Sequence, residues 1–121
     1  MPIQSKQQPP YYEQGIAVKT YKALVSQAGT AAPTVTILQN TLGDIVWTRF
    51  GAGIYIGTLN GAFPTEKTAM HIQQDEWGAK GQRTINSNFN TNSIYITTTD
   101  TTWTAVDNRL NFTSITINVY Q

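Results

Sequence analysis

From residue 16 to residue 120 the sequence alternates with a period of two, and that alternation decides the fold class. Val18, Thr20, Lys22 and Leu24 interleave with Tyr21, Ala23 and Val25 before Gln27-Ala28-Gly29 stops the run. Successive side chains of a strand point to opposite faces, so one set is buried and the other solvated. Similar runs occupy residues 35–38, 45–50, 54–59, 68–73, 83–85, 93–98, 103–106 and 111–120. In the run 45–50, Ile45, Trp47 and Arg49 share one face, and Val46, Thr48 and Phe50 the other. β-Branched and aromatic residues fill these runs, and glycine, asparagine and aspartate punctuate them every 8–12 residues or so. Asn60-Gly61 is a strong turn signal. No window of a dozen residues carries an apolar helical stripe with caps. The expected fold is all-β: a single antiparallel β-sandwich, jelly-roll-like, of roughly seven to nine short strands over residues 18–121.

The closing run is informative. Thr113, Ile115, Ile117 and Val119 make one mostly apolar face, while Ser114, Thr116 and Asn118 make a polar one. Read as an edge strand, it has few lysines to blunt it, and a neighbour is expected to cover it.

Residues 1–17 differ from the rest and are expected to form an extended N-terminal arm. They are rich in glutamine and proline, with Ile3, Pro9, Pro10, Tyr11 and Tyr12 as the side chains suited to anchoring. Proline offers no ladder donor and favours extended or polyproline backbone. Such a segment has too little apolar surface to order itself and is expected to gain structure on a partner. Pro9-Pro10-Tyr11-Tyr12 also matches the short proline-proline-x-tyrosine pattern read by WW-type domains, although docking on a rigid surface is the more economical use of it.

Composition narrows the function. The chain of 121 residues has no cysteine, a formal net charge of +1 and 12% charged residues. Disulfide frameworks, thiolate metal sites and cysteine nucleophiles are excluded. With so little basic charge, no patch tracks a nucleic-acid backbone, and no nucleic-acid partner is expected. No run approaches the roughly 20 apolar residues that span a bilayer, so no membrane partner is expected. The start, MPIQSKQQPP, has no apolar core of a secretory signal, so synthesis in a cytoplasm is expected.

Catalytic groupings are scarce. His71 is the only histidine and cannot make a metal site without cysteines or partners, so a place on the solvent or interface side of a strand is expected. Asp75 and Glu76 are adjacent and would face opposite ways on a strand, whereas a glycosidase needs two carboxylates roughly 5–10 Å apart. Asp44, Asp100 and Asp107 sit in turn-like contexts, where aspartate commonly caps its own backbone. Gly51-Ala52-Gly53 and Gly78-Ala79-Lys80-Gly81 lack the lysine-hydroxyl ending of a phosphate loop and read as hairpin turns. Asn111-Phe112-Thr113 fits a glycosylation sequon, which means little without a secretory signal. No enzyme activity, metal or cofactor is expected. Among the aromatics, Trp47 and Tyr55 are expected in the sandwich core, because aromatic side chains dominate cores. Trp77, Tyr95 and Trp103 are the candidates for glycan contact.

The stretch Tyr21-Lys22-Ala23-Leu24-Val25-Ser26-Gln27-Ala28-Gly29-Thr30-Ala31-Ala32-Pro33, with Val46-Trp47-Thr48-Arg49 and Gly53-Ile54-Tyr55-Ile56-Gly57-Thr58-Leu59, is distinctive. Together with Leu38-Gln39-Asn40-Thr41-Leu42-Gly43 and the closing Ile115-Thr116-Ile117-Asn118-Val119-Tyr120, it resembles a small β module of virion structural proteins, head fibres and tail appendages, in crAss-like phages that infect Bacteroidota. The resemblance covers residues 18 to 120, and its motifs are turn and core residues rather than a catalytic set. It implies a non-enzymatic virion protein, most economically a capsid-attached head fibre or decoration protein, whose arm docks on the capsid or another virion protein. It also implies self-association as a homotrimer and a location in the virion. The alternative is a carbohydrate-binding module that recognises bacterial or mucus glycans.

Overall fold

A computed structural model describes residues 18–73, 83–100 and 102–121. Eight strands form: β1 (Val18–Ser26), β2 (Thr34–Asn40), β3 (Val46–Gly51), β4 (Ile54–Thr58), β5 (Thr68–Ile72), β6 (Arg83–Asn90), β7 (Ser93–Thr99) and β8 (Thr113–Tyr120). They make two antiparallel four-stranded sheets, ordered β2-β1-β8-β5 and β3-β4-β7-β6. The two sheets pack face to face, as the alternation requires. Hairpin partners β1 and β2, β3 and β4, and β6 and β7 stay in one sheet, and the other four connections cross from one sheet to the other.

Inward-facing residues of both sheets build one core. Tyr21, Ala23 and Val25 of β1 and Ile115, Ile117 and Val119 of β8 meet Trp47, Tyr55, Ile94 and Ile96 from the other sheet. Trp47 is polar only at its indole nitrogen, and Nε1 donates to the Tyr21 hydroxyl across the sandwich at 3.3 Å. The indole fits because its cross-strand partner is Gly57. A Cβ there would lie 2.8 Å from Ile45 and 2.9 Å from the Trp47 ring.

Two sequence expectations are corrected. The closing run is not an edge: β8 lies between β1 and β5, paired with β1 from Val18↔Tyr120 to Val25↔Thr113. Its neighbours are strands of the same chain, and the edges are β2, β5, β3 and β6. Residues 103–106 are not a strand but hold a single bridge, Thr99↔Ala105. The Asp100 carboxylate accepts from the backbone N–H of Thr102 (2.8 Å) and of Thr104 (3.1 Å), which closes a turn before a ladder can form. The run 83–85 extends to Asn90.

The registers give the sandwich two distinct ends. β1 begins, and β8 finishes, at one end, here termed proximal, together with the loops 41–45 and 59–67. The loops 27–33, 52–53 and 100–112 lie at the opposite, distal end, which the ends of β5 and the start of β6 also reach.

Candidate functional site at the distal end

Arg49 organises the distal end. The alternation of β3 turns it toward the side occupied by Ile45 and Trp47, where a guanidinium needs a carboxylate. Asp107 supplies one: Arg49 Nε donates to Oδ1 at 3.2 Å and Nη2 to Oδ2 at 2.8 Å. The Gly53 backbone N–H donates to Oδ1 at 3.0 Å, and the Tyr55 hydroxyl approaches it at 2.7 Å. Asp107 therefore does not cap its own turn, as its sequence context suggests, but holds the β3–β4 hairpin. Gly53 is required there: with φ at 69°, its missing Cβ would lie 2.5 Å from the Thr98 carbonyl oxygen.

Gln27 carries the clamp to a third segment. Its Oε1 accepts from the Tyr55 hydroxyl at 2.8 Å and from the Asn108 N–H at 2.9 Å. Its Nε2 donates to the carbonyls of Gly29 and Ala31, so the loop 27–33 is pinned from within. Asn108 Oδ1 in turn accepts from the Gly29 N–H at 2.7 Å. Hydrogen bonding from Arg49 holds the Asp107 carboxyl well below the usual carboxylate range against the opposing effect of burial. Burial, then the hydrogen bond to Asp107 and its charge, push the Tyr55 hydroxyl well above its ordinary value. Near neutral pH the carboxylate stays ionised and the phenol protonated. The arrangement positions loops.

Those loops display aromatic side chains on strained backbone. Trp103 (φ 66°) is 61% exposed, and Phe112 (φ 50°) is 64% exposed. Positive φ is uncommon outside glycine and marks strain that surrounding contacts must hold. The Phe112 N–H donates to Ser26 Oγ at 2.9 Å, and the Trp103 N–H donates to the Asp100 carbonyl at 3.1 Å. At the same end is a cleft of about 230 Å³, lined by Ser26, Gln27, Ala31, Thr34, Leu110 and Asn111 among others. It is smaller than the roughly 300–1,000 Å³ of enclosed small-molecule sites and mixes amides and hydroxyls with small apolar side chains.

Comparison with protein-family models, with curated proteins and with solved structures finds no match. The functional reading therefore rests on this chain's own residues and geometry.

Of the residues singled out in the sequence, Trp103 is on a distal turn. Tyr95 is half-buried on the outer face of β7, opposite Ile56 of β4. Four residues of strand separate it from Thr99, roughly 13 Å. Trp77 and the anchoring candidates Ile3, Pro9, Pro10, Tyr11 and Tyr12 lie outside the described residues. Trp47 and Tyr55 are core residues, as expected. His71 is exposed on β5. Among the described residues, no group of three histidine, cysteine or acidic side chains is placed to hold a metal, and no helix is long and apolar enough to cross a membrane. Sequence reasoning missed Phe112, hidden in a run that reads as strand, and the Arg49–Asp107 pair. An arginine in register with Ile45 and Trp47 was the available signal.

Proposed function

We propose that this chain is a non-enzymatic structural protein of a phage virion, a capsid-attached head fibre or decoration protein docked through residues 1–17. The observation that carries the reading is the polarity of the sandwich. Residue 17 feeds β1 at the proximal end, while the exposed, strained aromatics Trp103 and Phe112 stand at the distal end. A protein anchored at one end and displaying the other has this layout. The stretches that carry the phage resemblance fall on β1, β2, β3, β4 and β8, which supply part of the core; β7 supplies Ile94 and Ile96. As in the proteins it resembles, copies are expected to associate, as a homotrimer. Removing residues 1–17 tests the docking: the remaining domain folds but no longer attaches to particles. Truncated protein that still decorates particles overturns it.

A second reading, a carbohydrate-binding module, is favoured by the exposed Phe112 next in sequence to Asn111, which lines the distal cleft. Aromatic faces stack on sugar rings, and Asn111 offers an amide for their hydroxyls, since the Gln27 amide is already engaged at both ends. Binding of bacterial or mucus polysaccharides that is lost in Phe112→Ala and Trp103→Ala supports it. Absence of binding across a glycan array counts against it.

A further inference from the structure

Asn60-Gly61 is the only asparagine–glycine pair in the chain. That dipeptide carries chemistry of its own. The glycine amide nitrogen can attack the asparagine side-chain carbonyl, because glycine has no side chain to stand in the way. Asn60 and Gly61 are both exposed, in the loop that joins β4 to β5 at the proximal end.

The backbone is held against that attack. The Ala62 N–H donates to the Leu59 carbonyl at 3.0 Å, and Gly61 has φ of 71° while Asn60 has no positive φ. This is a type II turn with glycine at its third position, for which ψ of the second residue, Asn60, is about +120°. Closure of a succinimide ring needs the Gly61 nitrogen eclipsed with the Asn60 Cβ, a rotation of roughly 120° about Cα–C away from that value. The rotation must also break the hydrogen bond that the Gly61 N–H donates to Asn92 Oδ1, 2.7 Å long. Asn92 lies in the β6–β7 turn, which grips the loop on both sides of the pair. The Leu59 N–H donates to the Asn92 carbonyl at 2.9 Å, and the Phe63 N–H donates to the Thr91 carbonyl at 2.9 Å. Phe63 is itself fully buried. The Asn92 N–H donates in turn to Asn90 Oδ1 at 2.7 Å, which fixes the gripping turn.

We propose that Asn60 is a site of spontaneous deamidation, held in check in the folded protein by the Asn92 side chain. When the loop opens, the Gly61 nitrogen gives its proton to solvent base and forms a bond to Asn60 Cγ. The bond from Cγ to the side-chain nitrogen breaks, and that nitrogen leaves as ammonia. Water then opens the succinimide at either carbonyl, giving aspartate or isoaspartate. Either product places a new negative charge at the proximal end, beside a cleft of about 240 Å³ lined by Lys19, Leu42, Leu59, Pro64 and Val119 among others. Isoaspartate also lengthens the main chain by one carbon, so the turn from Leu59 to Ala62 cannot close as before. The device stands on the geometry of the loop and holds whether or not the chain belongs to a virion.

Full-length protein incubated at mildly alkaline pH, folded or in guanidinium, tests the assignment, with conversion at residue 60 read by peptide mapping and an isoaspartate assay. Denatured wild type is expected to convert steadily, and folded wild type roughly tenfold more slowly or less. Asn92→Ala removes the acceptor and is expected to speed conversion in the folded protein by about three- to tenfold, the range that one hydrogen bond sets on a local opening. Asn92→Asp keeps an acceptor oxygen and is expected to stay close to wild type. Thermal melts confirm that each variant is folded at the assay temperature. Conversion at Asn40, which precedes the β-branched Thr41, is expected to be the same in all of them. Denatured wild type that is inert at Asn60 overturns the site. Folded wild type that converts as fast as denatured protein overturns the guard, and so does Asn92→Ala indistinguishable from wild type. Asn92→Asp as fast as Asn92→Ala, or acceleration at Asn40 as well, overturns the role given to the Asn92 hydrogen bond.

Discussion

Arg49 and Asp107, 58 residues apart in sequence, are joined by two parallel hydrogen bonds and an ion pair of 2.8 Å. The carboxylate also takes the Gly53 N–H and stands 2.7 Å from the Tyr55 hydroxyl, so one side chain ties the β3–β4 hairpin to the long distal loop. The bidentate geometry matters because it fixes direction as well as charge.

Asp107→Ala is expected to destabilise the domain by about 2 kcal/mol, because partly buried donors lose their acceptor. Asp107→Asn keeps the size and is expected to cost less, retaining part of the hydrogen bonding. Urea unfolding of the three proteins checks the order, and an Asp107→Ala midpoint equal to wild type contradicts it.

Stability should fall on both sides of neutrality for identifiable reasons. The Asp107 carboxyl titrates lower in the folded protein than its ordinary 3.8. Its contribution is thus complete above about pH 4 and is lost as pH drops further. Tyr55 titrates higher than its ordinary 10.0, so the folded state resists its ionisation and loses stability as pH climbs past that value. Thermal melts across pH are expected to show a shallower acid limb in Asp107→Asn and a shallower alkaline limb in Tyr55→Phe. Unchanged limbs in those variants contradict the assignment.

How much of this was legible in the sequence differs by element. The apolar face of β8, Thr113, Ile115, Ile117 and Val119, is readable because a period of two is a local property, and all four are buried. That β8 is central is not readable, since its place between β1 and β5 follows from pairings between distant segments. The turn at 100–104 overrode a run of strand-forming residues because one carboxylate, Asp100, offered the backbone closer partners than any neighbouring strand. Arg49 announced that it needed an acid, but nothing local could choose Asp107. Exposed Phe112 was concealed because phenylalanine is a strand former directly ahead of the alternation of β8, and only the fold reveals the left-handed backbone there.

Gly57→Ala is expected to destabilise the sandwich by about 1–3 kcal/mol through overpacking against Ile45 and Trp47. The Trp47 fluorescence should shift with it, since the indole must move. A variant as stable as wild type with unaltered emission contradicts the packing described here.

Phe112→Asn is expected to raise stability, by about 0.5–1 kcal/mol, because asparagine tolerates left-handed backbone and the ring is exposed. A drop in melting temperature would show instead that the ring stabilises the domain.

The central proposal is that this chain is part of a virion, and mass spectrometry of purified phage particles tests it most directly. Recovery of the chain with the particles, in constant proportion to the major capsid protein through repeated density gradients, is the predicted result. A chain that stays in the soluble fraction of the lysate while the particles are complete without it contradicts the proposal.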